Sequence, residues 1–207
     1  MLNKHISFNC KQQGFSLIEV LISLIISSIV FLAIITLYPL LTQQINRLYQ
    51  AYHLDIVARQ FLLMLEKDVR LSGYCFGDCV GVALKISEKR GEAKHSCIHL
   101  IYDYNLDGKW QMANGKWQKA TDETSDFFIY RIHRGKMEIH RSGVDCEGQG
   151  WINLFDPKQI IVSQFALKEV IMDEKRFLAV FLSLSPRAYP DLLREYQLKI
   201  YLRNQSI

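Results

Sequence analysis

The 27 residues from Phe15 to Leu41 carry a single formal charge, Glu19, and this run limits every fold the chain can adopt. At 1.5 Å per helical residue, such a run crosses a hydrocarbon core of about 30 Å. Its polar side chains are a few hydroxyls, Ser16, Ser23, Ser27, Ser28, Thr36 and Tyr38, which a helix can satisfy on its own carbonyls. Lys4 and Lys11 precede the run, and no positive charge follows until Arg47, which favours a cytoplasmic N-terminus. A removable secretory signal has an apolar core of about 7–15 residues and a small-x-small cleavage site. This run is longer, and Thr36-Leu-Tyr-Pro-Leu40 offers no such site, so the segment is expected to stay with the protein.

The helical pattern continues past the apolar run. Ala51, Leu54, Ala58, Phe61, Leu65 and Val69 recur at spacings of three and four, which puts them on one stripe of a helix. Gln50, Asp55, Arg59, Glu66, Lys67 and Arg70 fill much of the rest, and Ser72-Gly73 supplies a stop. Pro39 is expected to kink or relax the helix locally. Seven β-rich runs follow: Val80–Ile86, Cys97–Tyr104, Phe127–His133, Met137–Arg141, Ile160–Val170, Phe177–Leu184 and Glu195–Leu202. Arg134-Gly135 reads as a hairpin turn, and Met172–Arg176 as a polar turn between two further strands. No helical pattern separates these runs, so an antiparallel sheet lying on the apolar stripe is expected. The polar region Gly108–Asp126, with its repeated Gly-Lys-Trp, reads as a loop or loose hairpin.

Four cysteines, Cys75, Cys79, Cys97 and Cys146, follow the apolar run, and Cys10 precedes it. In a domain exported past a membrane, four cysteines are expected to form two disulfides, with three possible connectivities. The spacings Cys75-x-x-x-Cys79 and His95-Ser-Cys97-Ile-His99 do not match the common structural zinc sites.

The N-terminus resembles that of type IV prepilins and pseudopilins. A short basic leader, Met1–Gly14, is followed by Phe15 and by an apolar helix with Glu19 four residues later. The resemblance implies cleavage between Gly14 and Phe15 by the prepilin peptidase, which also N-methylates the new Phe15 amine. It also implies pairing of Glu19 with the amine of an adjacent subunit, which answers the cost of roughly 2.5–3.5 kcal/mol for a lone carboxylate in the bilayer. Arg70–Gly81, Cys97, Asp103–Trp110 and Ser142–Trp151 are similar to segments of minor pilins of the prepilin peptidase-dependent protein B class, a class related to type J minor pseudopilins of type II secretion. Members of this class occur in pilus systems, including those of natural DNA uptake.

The expected organisation is a leader over 1–14, a transmembrane helix over 15–41, an amphipathic continuation over 42–72 and a periplasmic β-rich domain over 73–207. The fold class is α+β, pilin-like. The expected role is a minor pilin that initiates or caps a type IV pilus, in the inner membrane or at a pilus tip. A type J minor pseudopilin is the alternative, and a membrane-anchored binding domain that never assembles is the rival from another class. The implied partners are the prepilin peptidase/N-methyltransferase and other major and minor pilins or pseudopilins.

Two other sites remain as expectations. Asp103-Tyr-Asn105-Leu-Asp107-Gly108 has the alternating oxygen ligands and the glycine of a calcium loop, but position 114 is Asn where the closing Glu belongs. Asp122 or Glu123 would have to fold back, and the same residues are ordinary turn material. The C-terminal region mixes Lys168, Lys175, Arg176, Arg187, Arg194, Lys199 and Arg203 with Tyr189, Tyr196 and Tyr201, a composition that can hold DNA. Glu169, Asp173, Glu174, Asp191 and Glu195 interleave with them, and a solvated surface is the expected reading. The motifs of hydrolases, P-loop enzymes and zincins are absent from the sequence, so no catalytic activity is expected.

Overall fold

Ser16 starts the long helix α1, Leu17–Leu71, by accepting the amides of Glu19 and Val20 on its carbonyl at 3.1 and 3.2 Å. The protein is seen in a computed structural model that describes residues 14–77, 79, 81–110, 126–141, 143 and 145–204, with the backbone of 112–113 and 116–117. The leader positions 1–13, Cys10, Asn114, Asp122 and Glu123 lie outside the described residues. The chain divides into two compact units between Arg47 and Leu48.

In the first unit, every residue from Gly14 to Leu41 is exposed. Ser23, Ser27, Ser28, Thr36 and Thr42 donate their hydroxyls to carbonyls three or four residues earlier at 2.7–3.1 Å. A polar group satisfied in this way needs no water, and the segment is long and apolar enough to cross a membrane. Pro39, expected to kink or relax the helix locally, lies inside α1, which continues through it.

In the second unit, α1 buries Ala51, Leu54, Ala58, Phe61, Leu65 and Val69, the stripe that the spacing predicts. Ten strands follow among the described residues: β1 Leu84–Ser87, β2 Cys97–Ile101, β3 Met112–Ala113, β4 Lys116–Trp117, β5 Phe127–His133, β6 Lys136–Arg141, β7 Ile152–Asn153, β8 Ile160–Met172, β9 Lys175–Pro186 and β10 Arg194–Tyr201. All pairings are antiparallel. They form three sheets rather than one: β1-β2-β5-β6-β7, β10-β9-β8 and the small pair β3-β4. The division falls at β8, which shares the apolar core with the larger sheet and bonds the turns beside its strands at isolated points among the described residues. Val162 N–H donates to Gly135 O at 2.9 Å, and Leu167 N–H to His95 O at 3.0 Å. A bulge between Val162 and Gln164 bends β8 at this point, as an unpaired residue does.

Both larger sheets pack on the helix. Phe61 meets the rings of Tyr130, Phe155 and Phe165 edge-on at centroid distances of 5.6–6.0 Å, an arrangement worth about 0.5–1.5 kcal/mol per pair beyond the area buried. The helix ends at Gly73, whose φ of +86° suits glycine. Asn204, from the far end of the chain, donates its side-chain amide to Arg70 O at 3.1 Å and so caps the helix from a distance.

Candidate functional site

The N-terminal segment places its three predicted residues on one exposed turn. Gly14 has no atom within 4 Å of where a Cβ would stand, and Phe15 is 88% exposed, so the Gly14–Phe15 bond is open to attack. Glu19 turns back on its own helix: Ser16 N–H donates to Glu19 Oε2 at 2.9 Å. Ser16-Leu-Ile-Glu19 therefore works as one half of a capping box, a Ser-x-x-Glu pattern that was legible in the sequence beside the membrane argument. The carboxylate also sits at the positive end of the helix dipole, worth about 0.3–1 kcal/mol at an exposed terminus.

Two loops meet at one end of the β-rich unit. Cys75 is bonded to Cys79, and Gly77 lies so close to Gly108 that a Cβ on Gly77 would stand 2.6 Å from Gly108 O. Buried Asp103 ties the loops together. Its Oδ2 accepts from Phe76 N–H at 3.1 Å and Gly108 N–H at 2.9 Å, and its Oδ1 from Asp107 N–H at 3.1 Å. Asn105 Oδ1 and Asp107 Oδ1 likewise accept backbone amides, from Asp107 and Lys109. A calcium ion held by Asp103, Asn105 and Asp107 would compete with these N–H groups for the same lone pairs.

The second disulfide joins Cys97 to Cys146, closing a separation of 49 residues. Ser87 Oγ and His99 Nε2 lie 2.9 and 3.1 Å from Cys146 Sγ and 3.0 Å from each other. Cys97, His99 and Cys146 are close enough to suggest a metal cluster, but the sulfurs are bonded to each other and offer no thiolate. Burial, with Lys85 adding to it, lowers the His99 pKa to about 4. Buried Arg131 anchors the segment behind the disulfide. Its guanidinium bonds Glu138 at 2.8 Å, donates to Cys146 O and lies 3.6 Å from the centroid of the Trp151 ring.

Sequence reasoning missed Asp68, which is 2% exposed on the apolar stripe. It accepts the hydroxyl of Tyr102 at 3.0 Å and that of Tyr130, and desolvation together with the carboxylate raises the pKa of both phenols. A charged residue placed on a heptad-like stripe was the available signal.

An exposed Gly-Phe junction, a first-turn glutamate and an apolar helix whose second half carries antiparallel sheets define a pilin-like protein. A model of the prokaryotic N-terminal methylation motif matches residues 9–35, and a model of prepilin peptidase-dependent protein B matches residues 47–202. The chain belongs to the prepilin peptidase-dependent protein B family. It is 30% identical over 155 residues to the Escherichia coli (strain K12) protein named prepilin peptidase-dependent protein B, covering 75% of this chain and 76% of that one. No solved structure matches.

Proposed function

We propose that this chain is the precursor of a minor pilin, cut between Gly14 and Phe15 by the prepilin peptidase, methylated on the Phe15 amine and assembled into a type IV pilus machine. The observation that carries this reading is the exposed Gly14-Phe15 junction set one turn ahead of Glu19 on an apolar stretch exposed from Gly14 to Leu41. A carboxylate has about four lone-pair sites, so Glu19 can cap its own helix and still accept the ammonium of a neighbouring subunit. In a low-dielectric surrounding such a charged hydrogen bond is stronger than in water. The periplasmic unit stays outside the membrane, and no catalytic step belongs to it. The resemblance to minor pilins supports the finer reading, a subunit that initiates or caps the filament in a system serving DNA uptake.

Two measurements test this. Mass spectrometry of the protein from cells with and without the prepilin peptidase should find a methylated Phe15 terminus only when the peptidase is present. An intact Met1–Gly14 leader in both strains would refute the processing. Deletion of the gene, scored for piliation, DNA uptake and protein secretion, should lower the first two and spare the third. The reverse pattern would assign the chain to type II secretion.

A further inference from the structure

The sheet β10-β9-β8 turns one face to the helix and the other outward, and the outward face has a composition of its own. Strand alternation with the observed register puts Lys168, Ala179 and Lys199 in one cross-strand row, and Val170, Phe177 and Tyr201 in the next. Phe181 lies beyond the lysine row, between Ala166 and Gln197, and Lys175 stands opposite Met172 at the hairpin end. The acidic residues of these strands are sorted away from the centre. Glu169 faces the other side, where it bonds Arg176 at 2.6 Å. Glu195, across from Ser183 at the far end, is the one acid on the outward face among the described residues. Asp173 and Glu174 occupy the turn, both in the left-handed region.

We infer that this face binds single-stranded nucleic acid. Lys168 and Lys199 are two strand spacings apart, roughly 10 Å, and the small side chain of Ala179 leaves a shallow floor between them, flanked by the Phe177 and Phe181 rows. Backbone phosphates meet the lysines and unstacked bases meet the rings, the two contacts by which sheet surfaces hold single strands without reading sequence. The Lys199 ammonium rests 4.5 Å from the centroid of Phe177, and Tyr201 lies beside it at 5.4 Å, so cation and ring are already gathered on one spot. A duplex hides its base faces from such rings, and a lipid headgroup or an acidic peptide brings charge without bases. The site is independent of filament assembly, and its failure would leave the subunit reading intact.

The test uses the full chain in detergent and a fluorescein-labelled oligothymidine of ~20 nucleotides, read by anisotropy against salt. Parallel arms hold a duplex, phosphatidylglycerol vesicles and polyglutamate. The single strand should bind, and each other arm should bind at least ~10-fold more weakly. Lys168→Gln with Lys199→Gln should weaken binding ~10-fold and reduce the salt slope by ~1.4, about 0.7 for each lysine. Tyr201→Ala should weaken binding ~5-fold or more with an unchanged slope. All three side chains are exposed, so these variants keep the fold, which a thermal melt checks. No binding by the oligonucleotide would overturn the inference. So would unchanged affinity in either variant, or equal retention of the duplex, polyglutamate or vesicles.

Discussion

Glu19 Oε2 lies 2.9 Å from the amide nitrogen of Ser16, so the carboxylate that looks misplaced in a membrane segment already has a partner in its own chain. Capping and intersubunit pairing can be separated by substitution. Glu19→Gln keeps an oxygen for Ser16 N–H but removes the charge, whereas Glu19→Val removes both. Both variants should insert into the membrane, and both should enter filaments at least ~10-fold less than wild type, an equivalent of ~1.4 kcal/mol. Immunoblots of sheared filaments measure this. Normal incorporation of Glu19→Gln would leave the cap as the sole role of the residue.

The two disulfides should differ in worth. Closing a loop restrains the unfolded chain more as the loop lengthens, so the Cys97–Cys146 bond is expected to contribute about 4 kcal/mol and the Cys75–Cys79 bond about 2 kcal/mol. Chemical denaturation of the paired Cys→Ser variants should rank them in that order. Equal losses would show that native contacts around the sulfurs outweigh chain entropy.

Arg131 is a buried cation held by Glu138, the Cys146 carbonyl and the Trp151 ring. Arg131→Ala leaves Glu138 buried without its cation and should cost about 3–5 kcal/mol. The double variant Arg131→Met, Glu138→Leu removes both charges and should recover most of that loss. Denaturation midpoints decide the matter, and a double variant as unstable as Arg131→Ala would refute the desolvation argument.

His99 gives the fold an acid sensitivity. Its folded pKa of about 4 lies below the unfolded value of about 6.5, so the unfolded state binds more protons between the two. The stability due to neutral His99 is present above pH ~6.5 and is lost as pH falls toward 4. Lys85 holds the pKa down further, and Asp145 opposes it. Glu147, drawn below the usual carboxylate range by the Arg90 amide and the Lys89 side chain, adds little in this window. Melting temperatures from pH 7 to 4 should fall for wild type and flatten for His99→Gln by about one proton in the slope. Parallel curves would rule out His99 as the titrating group.

Local regularity made much of this molecule readable in one dimension. The apolar run, the Gly14-Phe15 junction with Glu19, and the stripe Ala51 to Val69 depend on spacings within a single helix, so the sequence alone determined them. The strands were readable for the same reason, and Phe127–His133 and the Arg134-Gly135 turn fall where alternation and turn chemistry put them. The rest required residues distant in the chain to meet. Asp68 looks like a surface acid until Tyr102, just past β2, and Tyr130, in β5, arrive from 34 and 62 residues away to share its oxygens. The choice of Cys146 for Cys97 is made by the fold that brings them together, and the division of one expected sheet into three by strand pairings that local alternation does not specify. The lysines and aromatic rings of the C-terminal region looked evenly mixed with acids in sequence. Only the register of β8, β9 and β10 sorted them by face, because a strand's alternation acquires a direction once its neighbours decide which side is buried.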